Sequence, residues 1–76
     1  MAELIAWIAQ QLVDAPDQVR VEVVEREDAT VYRLHVAPDD VGKVIGRQGR
    51  LARALRALVR TASARSDTRL LLEIAE

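Results

Sequence analysis

Two glycines three residues apart, Gly46 and Gly49, constrain this chain more than any other feature. Before them, Val41-Gly42-Lys43-Val44-Ile45 reads as a short helix. After them, Arg50 to Ala64 reads as a long one. Glycine accepts backbone angles that other residues avoid, so Gly46-Arg47-Gln48-Gly49 reads as a tight turn between two helices. Only 76 residues are available to build around that turn, enough for one small domain. A chain of this size buries about 60% of the surface its unfolded form exposes, so the core is thin.

The remaining pattern divides cleanly. Residues 2–14 read as a helix, with Leu4, Ile5, Ile8, Leu12 and Trp7 near the 3.6-residue period. Pro16 marks its end. Val19-Arg20-Val21-Glu22-Val23 alternates β-branched and charged residues, as a half-buried strand with valines inward does. Glu27-Asp28-Ala29 is the expected turn into a second strand, Val31 to Val36, with Tyr32, Leu34 and Val36 on one face and Arg33 and His35 on the other. Pro38-Asp39-Asp40 breaks the pattern, and an acidic residue there suits the N-cap of the short helix. In the long helix, Leu51, Leu55, Leu58 and Ala62 form one stripe and Arg50, Arg53, Arg56 and Arg60 another. Leu70, Leu72 and Ile74 alternate in a last strand. The order predicts a two-layer α+β domain. Its second and third strands, joined by a helical crossover, are parallel if adjacent. The face bearing Arg20, Glu22, Arg33, His35 and Glu73 is left to water.

Composition narrows the chemistry. The absence of cysteine excludes disulfides and cysteine-based metal or redox sites, and one histidine excludes the usual two-histidine metal sites. No nucleophile–base pair or cofactor motif is apparent, so no catalytic residue, no metal and no cofactor is expected, and the chain does not read as an enzyme. No apolar run is long enough to span a membrane, and no basic segment precedes the first apolar stretch as in a secretory signal. A cytoplasmic location is the expectation.

The formal net charge of −1 hides a sharp segmentation. Residues 1–40 sum to −6. Residues 41–66 hold Lys43, Arg47, Arg50, Arg53, Arg56, Arg60 and Arg65 with no acid, and residues 67–76 sum to −2. Such a block either pairs with the acidic half or makes a cationic field of its own. At the turn, Lys43, Arg47, Arg50 and Arg53 would surround the N-terminus of the long helix, where unsatisfied N–H groups favour phosphate. Val44 and Ile45 would supply an apolar wall. Cations for phosphates beside an apolar surface for bases suit single-stranded nucleic acid. Two glycines at this spacing are alone a weak sign, since a glycine also commonly ends a helix. No Gly-Lys-Ser/Thr follows, which excludes a P-loop.

The ten residues Val41-Gly42-Lys43-Val44-Ile45-Gly46-Arg47-Gln48-Gly49-Arg50 resemble the signature of the KH domain, whose G-x-x-G loop clamps about four nucleotides by their backbone. The order of elements resembles the type II arrangement, α-β-β-α-α-β, with a three-stranded mixed sheet and helices on one face. Leu12-Val13-Asp14-Ala15-Pro16-Asp17 followed by valine strands resembles the small bacterial single-KH proteins of the KhpA type. The resemblance spans the whole chain and implies one KH domain over residues 1–76. It implies binding of single-stranded RNA, with Gly46 and Gly49 shaping the loop and Arg47 and Gln48 touching phosphate and sugar. Lys43 and Arg50 would flank the strand, Arg53 would add a phosphate contact, and Val44 or Ile45 would meet bases. It further implies an RNA chaperone or post-transcriptional regulator. The implied partners are a second copy, as a homodimer, or a larger KH-containing protein of the KhpB/Jag type, as a heterodimer. The alternative is a module chiefly for protein interaction, with weak or single-stranded DNA binding. The only aromatics are Trp7, expected in the core, and Tyr32. Base contact would therefore rest on aliphatic surface and edge hydrogen bonds. His35 reads as an ordinary hydrogen-bonded or solvated residue.

Overall fold

A computed structural model describes residues 1–46 and 49–75. Its helices are α1 (Ala2–Gln10), α2 (Val41–Ile45) and α3 (Arg50–Ser63). Its strands are β1 (Arg20–Glu25), β2 (Ala29–His35) and β3 (Arg69–Ile74), with single 3-10 turns at Pro16–Gln18 and Pro38–Asp40. The strand order is β1-β2-β3. β1 runs antiparallel to β2, from Arg20 opposite His35 to Glu25 opposite Thr30. β3 runs parallel to β2, from Ala29 beside Arg69 to Leu34 beside Ile74. This α-β-β-α-α-β order with a mixed sheet is the type II KH arrangement. α1 lies on β1 and β2, α3 lies on β3, and α2 packs on α3. No described helix is long and apolar enough to cross a membrane.

The core lies between the helices and one sheet face. Ile5, Ala9 and Val13 meet Leu34, Val44, Leu55 and Val59, with Tyr32, Val36, Leu70, Leu72 and Ile74 packed against them. Both long helices are rotated from the sequence expectation. α1 buries Ile5 and Ala9, while Leu4, Trp7 and Leu12 are exposed by 45%, 59% and 56%. Trp7 is thus not a core residue. α3 buries Ala52, Leu55 and Val59, with Leu51, Leu58 and Ala62 only half-buried beside them. The buried set on each helix mixes sizes, Ile5 with Ala9 on α1 and Ala52 with Leu55 and Val59 on α3. Val23 is exposed on an edge strand.

α1 also ends sooner than residue 14. The N–H groups of Asp14 and Ala15 donate to the Asp40 carboxylate, to Oδ1 at 3.2 Å and Oδ2 at 3.0 Å, instead of continuing the helix. Pro16 disfavours a helical conformation at Ala15, which adopts φ −118°, ψ 74°. Asp40 is nearly fully buried and does not cap α2 with its side chain. The 3-10 turn runs directly into α2, and the Pro38 carbonyl accepts the Val41 N–H. Asp40 is therefore a clasp between distant segments rather than the cap expected of it.

The other sheet face carries a ladder of charges. His35 Nε2 donates to Glu22 at 3.1 Å and Arg33 Nε donates to Glu73 at 3.2 Å. Arg33 also lies 3.6 Å from Glu22, and Arg26 lies 3.7 Å from Glu73. Val31 alternates onto this face yet is fully buried, between its cross-strand neighbours Val24 and Leu71. The His35 hydrogen bond, with attraction from Arg33, holds the Glu22 carboxyl below its ordinary value, against opposing desolvation.

Two consequences are measurable. Replacing Asp40 with alanine leaves two backbone donors unsatisfied in a tight joint and should cost about 3 kcal/mol of stability in urea unfolding. A loss below about 0.5 kcal/mol would show that the clasp is dispensable. Because the Glu22 pKa is lowered on folding, its stabilisation is complete above the ordinary glutamate value and is lost as pH falls through the lowered one. Glu22→Gln should therefore unfold at lower urea than wild type at pH 7, and the two midpoints should converge in acid. A pH-independent gap would contradict this.

Candidate functional site

The turn between α2 and α3 is fixed by its two glycines. The Gly46 N–H donates to the Gly42 carbonyl at 2.6 Å, ending α2, and the Gly46 carbonyl accepts the Gly49 N–H at 2.9 Å. A Cβ on Gly46 would overlap the Gly42 carbonyl oxygen. Gly49 has φ +66° and ψ 30°, a left-handed conformation that penalises any side chain, and it leads directly into α3. Arg47 and Gln48 lie outside the described residues.

Around this turn, Lys43, Gly46 and Arg50 line a cleft of about 540 Å³, closed by Leu51 and Ala54 of α3, by Ile8 of α1 and by Leu12 just after it. The contribution of α1 was not expected from sequence. Ile8 packs against the core as expected while also lining the cleft, whereas Leu12, expected inward, is exposed. The Lys43 ammonium forms an ion pair with Asp14 in the α1–β1 connection. Arg50 and Arg53 are exposed. Ile45 is 39% exposed. Val44 corrects the sequence reading: it is fully buried in the core. It has no surface to offer a ligand, so Ile45 alone remains of the expected apolar wall.

The segmented charge is largely unpaired on α3. Among the described residues, Arg50, Arg56, Arg60 and Arg65 form no ion pair; the acids Glu22 and Glu73 pair instead with Arg26, Arg33 and His35. The described residues contain no group of three histidine, cysteine or acidic side chains able to hold a metal ion.

Known proteins match this arrangement over nearly the whole chain. The sequence model of the family described as "KhpA/KhpB, KH domain" matches residues 2–74. The chain belongs to the KhpA/KhpB KH-domain family. A protein of Treponema pallidum named RNA-binding protein KhpA is 51% identical over 72 residues, covering 95% of this chain and 90% of its own. Its namesake in Borreliella burgdorferi is 47% identical over 72 residues, covering 95% and 88%. That of Clostridium acetobutylicum is 45% identical over 74 residues, covering 97% and 99%. The glycine pair that resembles the KH signature thus sits, in a KhpA/KhpB-family chain, at a joint whose backbone geometry itself demands glycine.

That demand can be measured. Gly46→Ala should lose about 1–3 kcal/mol through overlap with the Gly42 carbonyl, and Gly49→Ala about 1–2 kcal/mol through its left-handed backbone. Gly42→Ala meets open space and is the control. Equal unfolding midpoints for all three variants would refute the assignment.

Proposed function

We propose that this protein binds single-stranded RNA at the Gly46–Gly49 turn. The observation that carries the reading is the turn itself: a glycine-shaped joint opening α3, beside a cleft with Lys43 and Arg50 on its rim, in a chain whose named relatives are RNA-binding proteins. In this reading the backbone phosphates meet Arg47, Gln48, Arg50, Arg53 and the N–H groups at the start of α3. Lys43 exchanges its exposed Asp14 partner for phosphate, at small cost because exposed ion pairs contribute little. Ile45, with Ile8, Leu12 and Leu51, gives bases and riboses an apolar surface. No aromatic platform is available there, so binding is sequence-tolerant and modest. The protein then acts as an RNA chaperone or post-transcriptional regulator beside a KhpB/Jag-type partner.

A second reading, a module mainly for self-association or partner binding, is favoured by one observation. Leu4 and Trp7 leave an apolar patch on α1 exposed to solvent, and Leu12 just after the helix is exposed as well. This reading accommodates weak or single-stranded DNA binding.

One experiment separates the two. Fluorescence anisotropy with labelled single-stranded RNA should show binding whose log–log salt slope is near −2, for about three phosphate contacts. Arg47→Asp/Gln48→Asp should abolish it while circular dichroism and sedimentation remain unchanged. Equal binding by both proteins, or none by wild type, would move the weight to the interaction reading.

A further inference from the structure

The two edges of the sheet differ. β3 is overhung by α3, where Arg56, Arg60 and Arg69 line a second cleft of about 450 Å³ floored by Val59, Leu70 and Leu72. β1 is the other edge, and its outer side meets no strand among the described residues. The Arg26 N–H donates to the Ala29 carbonyl at 2.7 Å, which fixes the alternation of the antiparallel ladder. Arg20, Glu22 and Val24 direct their backbone groups to β2, whereas Val21, Val23 and Glu25 direct theirs outward. Natural sheets blunt such an edge with proline, lysine or a bulge. Arg20-Val21-Glu22-Val23-Val24-Glu25 pairs with β2 in unbroken register and has none of the three. Val23, in the middle of this edge, is 48% exposed. Above it lies α1, whose Ile5 and Ala9 face the core and whose Ile8 faces the cleft beside the glycine turn. Its opposite flank, toward the β1 edge, carries only Ala2, Ala6 and Gln10.

We propose that the free edge of β1 docks the β1 of a second copy of this chain, antiparallel across a two-fold axis at Val23, so that two sheets join into one of six strands. The inference does not depend on RNA, and it uses a surface other than the exposed Leu4 and Trp7. The register follows from the backbone. With the axis at Val23, the outward groups of Val23 meet those of the partner's Val23, and those of Val21 meet the partner's Glu25 and the reverse. This pairing engages every outward N–H and C=O of the strand. Val23 packs on its own copy, and Glu22 lies opposite the partner's Val24. Arg20 meets the partner's Arg26 just beyond the strand, where Arg26 is already drawn to Glu73 at 3.7 Å. An axis at Glu22 would set two carboxylates face to face, and one at Val24 would leave Val21 without a strand partner. A parallel pairing in register would set Arg20, Glu22 and Glu25 each against its own copy. The helix layer permits the approach. α1 lies on β1 and β2, so the two copies of α1 would come about 10 Å apart, an ordinary helix-packing distance. The small Ala2 and Ala6 face each other across that gap.

The test uses the intact protein, which has no cysteine of its own. Sedimentation of wild type should pass from monomer towards dimer between about 10 μM and about 500 μM. Val23→Lys sets two like charges on the axis and should keep the protein monomeric over that range. Its circular dichroism should match wild type, because the position is exposed. Leu4→Gln/Trp7→Gln should leave association unchanged. Val23→Cys reads the register directly, since facing Cα atoms of a hydrogen-bonded pair lie about 5.5 Å apart, within disulfide reach. Mild oxidation should link it into a covalent dimer roughly tenfold or more faster than Glu25→Cys, whose two copies would lie about 14 Å apart. Wild type that stays monomeric throughout the range overturns the proposal and leaves the edge to a strand of another protein. Equal cross-linking of the two cysteine variants also overturns it, since that marks random collision. Association that survives Val23→Lys overturns it too, and its loss in Leu4→Gln/Trp7→Gln would place the contact on α1.

Discussion

The Asp40 carboxylate is the joint on which the rest of this structure depends. It is buried, and both of its oxygens accept backbone N–H groups from a segment about 25 residues away. Those donors belong to the connection that carries the chain from α1 into β1. The carboxylate belongs to the turn that carries it from β2 into α2. One side chain therefore ties the segment after α1 to the turn before α2. The Lys43–Asp14 ion pair bridges the same two segments at the surface, adding direction more than energy. Because α2 ends at Gly46, the position of the glycine turn relative to α1 is set by this clasp. The clasp thus lies between the segments that bring Ile8 and Leu12 beside Lys43 and Arg50.

What could be read from the sequence follows from which interactions are local. The glycine turn, the two β2 faces and the alternation of Leu70, Leu72 and Ile74 depend on near neighbours, and they appear where the pattern placed them. Asp40 was legible as a helix-start residue but not as a clasp, because its partners lie far away in sequence. The helix stripes were off by a rotation for a different reason. Periodicity weights the largest apolar side chains, so it passes over the small Ala9 and Ala52 that are buried here beside Ile5, Leu55 and Val59. The same bias put Trp7 in the core and hid the role of α1 beside the turn. Val44 shows the reverse error: a residue next to the glycine turn was read as surface, while α2 turns it inward to complete the core.

The charge pattern also becomes intelligible through position. A chain with net charge −1 can still present a cationic helix, because among the described residues no ion pair joins an acid to Arg50, Arg56 or Arg60. Glu22 and Glu73 serve the open face of the sheet, Asp14 holds Lys43, and Asp40 serves backbone donors. With the sheet between them, the Glu22–Arg33–Glu73 ladder and the α3 arginines face opposite sides of the domain. Attraction between exposed charges is weakened by a Debye length of about 8 Å at physiological salt, so the ladder does little to neutralise the helix. Segmentation along the sequence becomes segregation in space through the alternation of a strand and the crossover that follows it.

The two clefts have a common origin in the small size of the domain. A thin core cannot enclose every apolar side chain of two amphipathic helices. The helices bury Ile5, Ala9, Ala52, Leu55 and Val59, and their remaining apolar residues are left at the flanks. On one flank of α3 these side chains, with those of α1, wall the cleft beside the glycine turn. On the other flank the helix overhangs the edge of β3, and Val59 with Leu70 and Leu72 floors the cleft ringed by arginine. Apolar surface left over by packing thus lies next to charge left over by pairing, on both sides of one helix. A ligand that is anionic along its backbone and apolar at its side groups would meet both kinds of surplus at once, and this is the physical ground of the proposal that RNA binds beside the glycine turn.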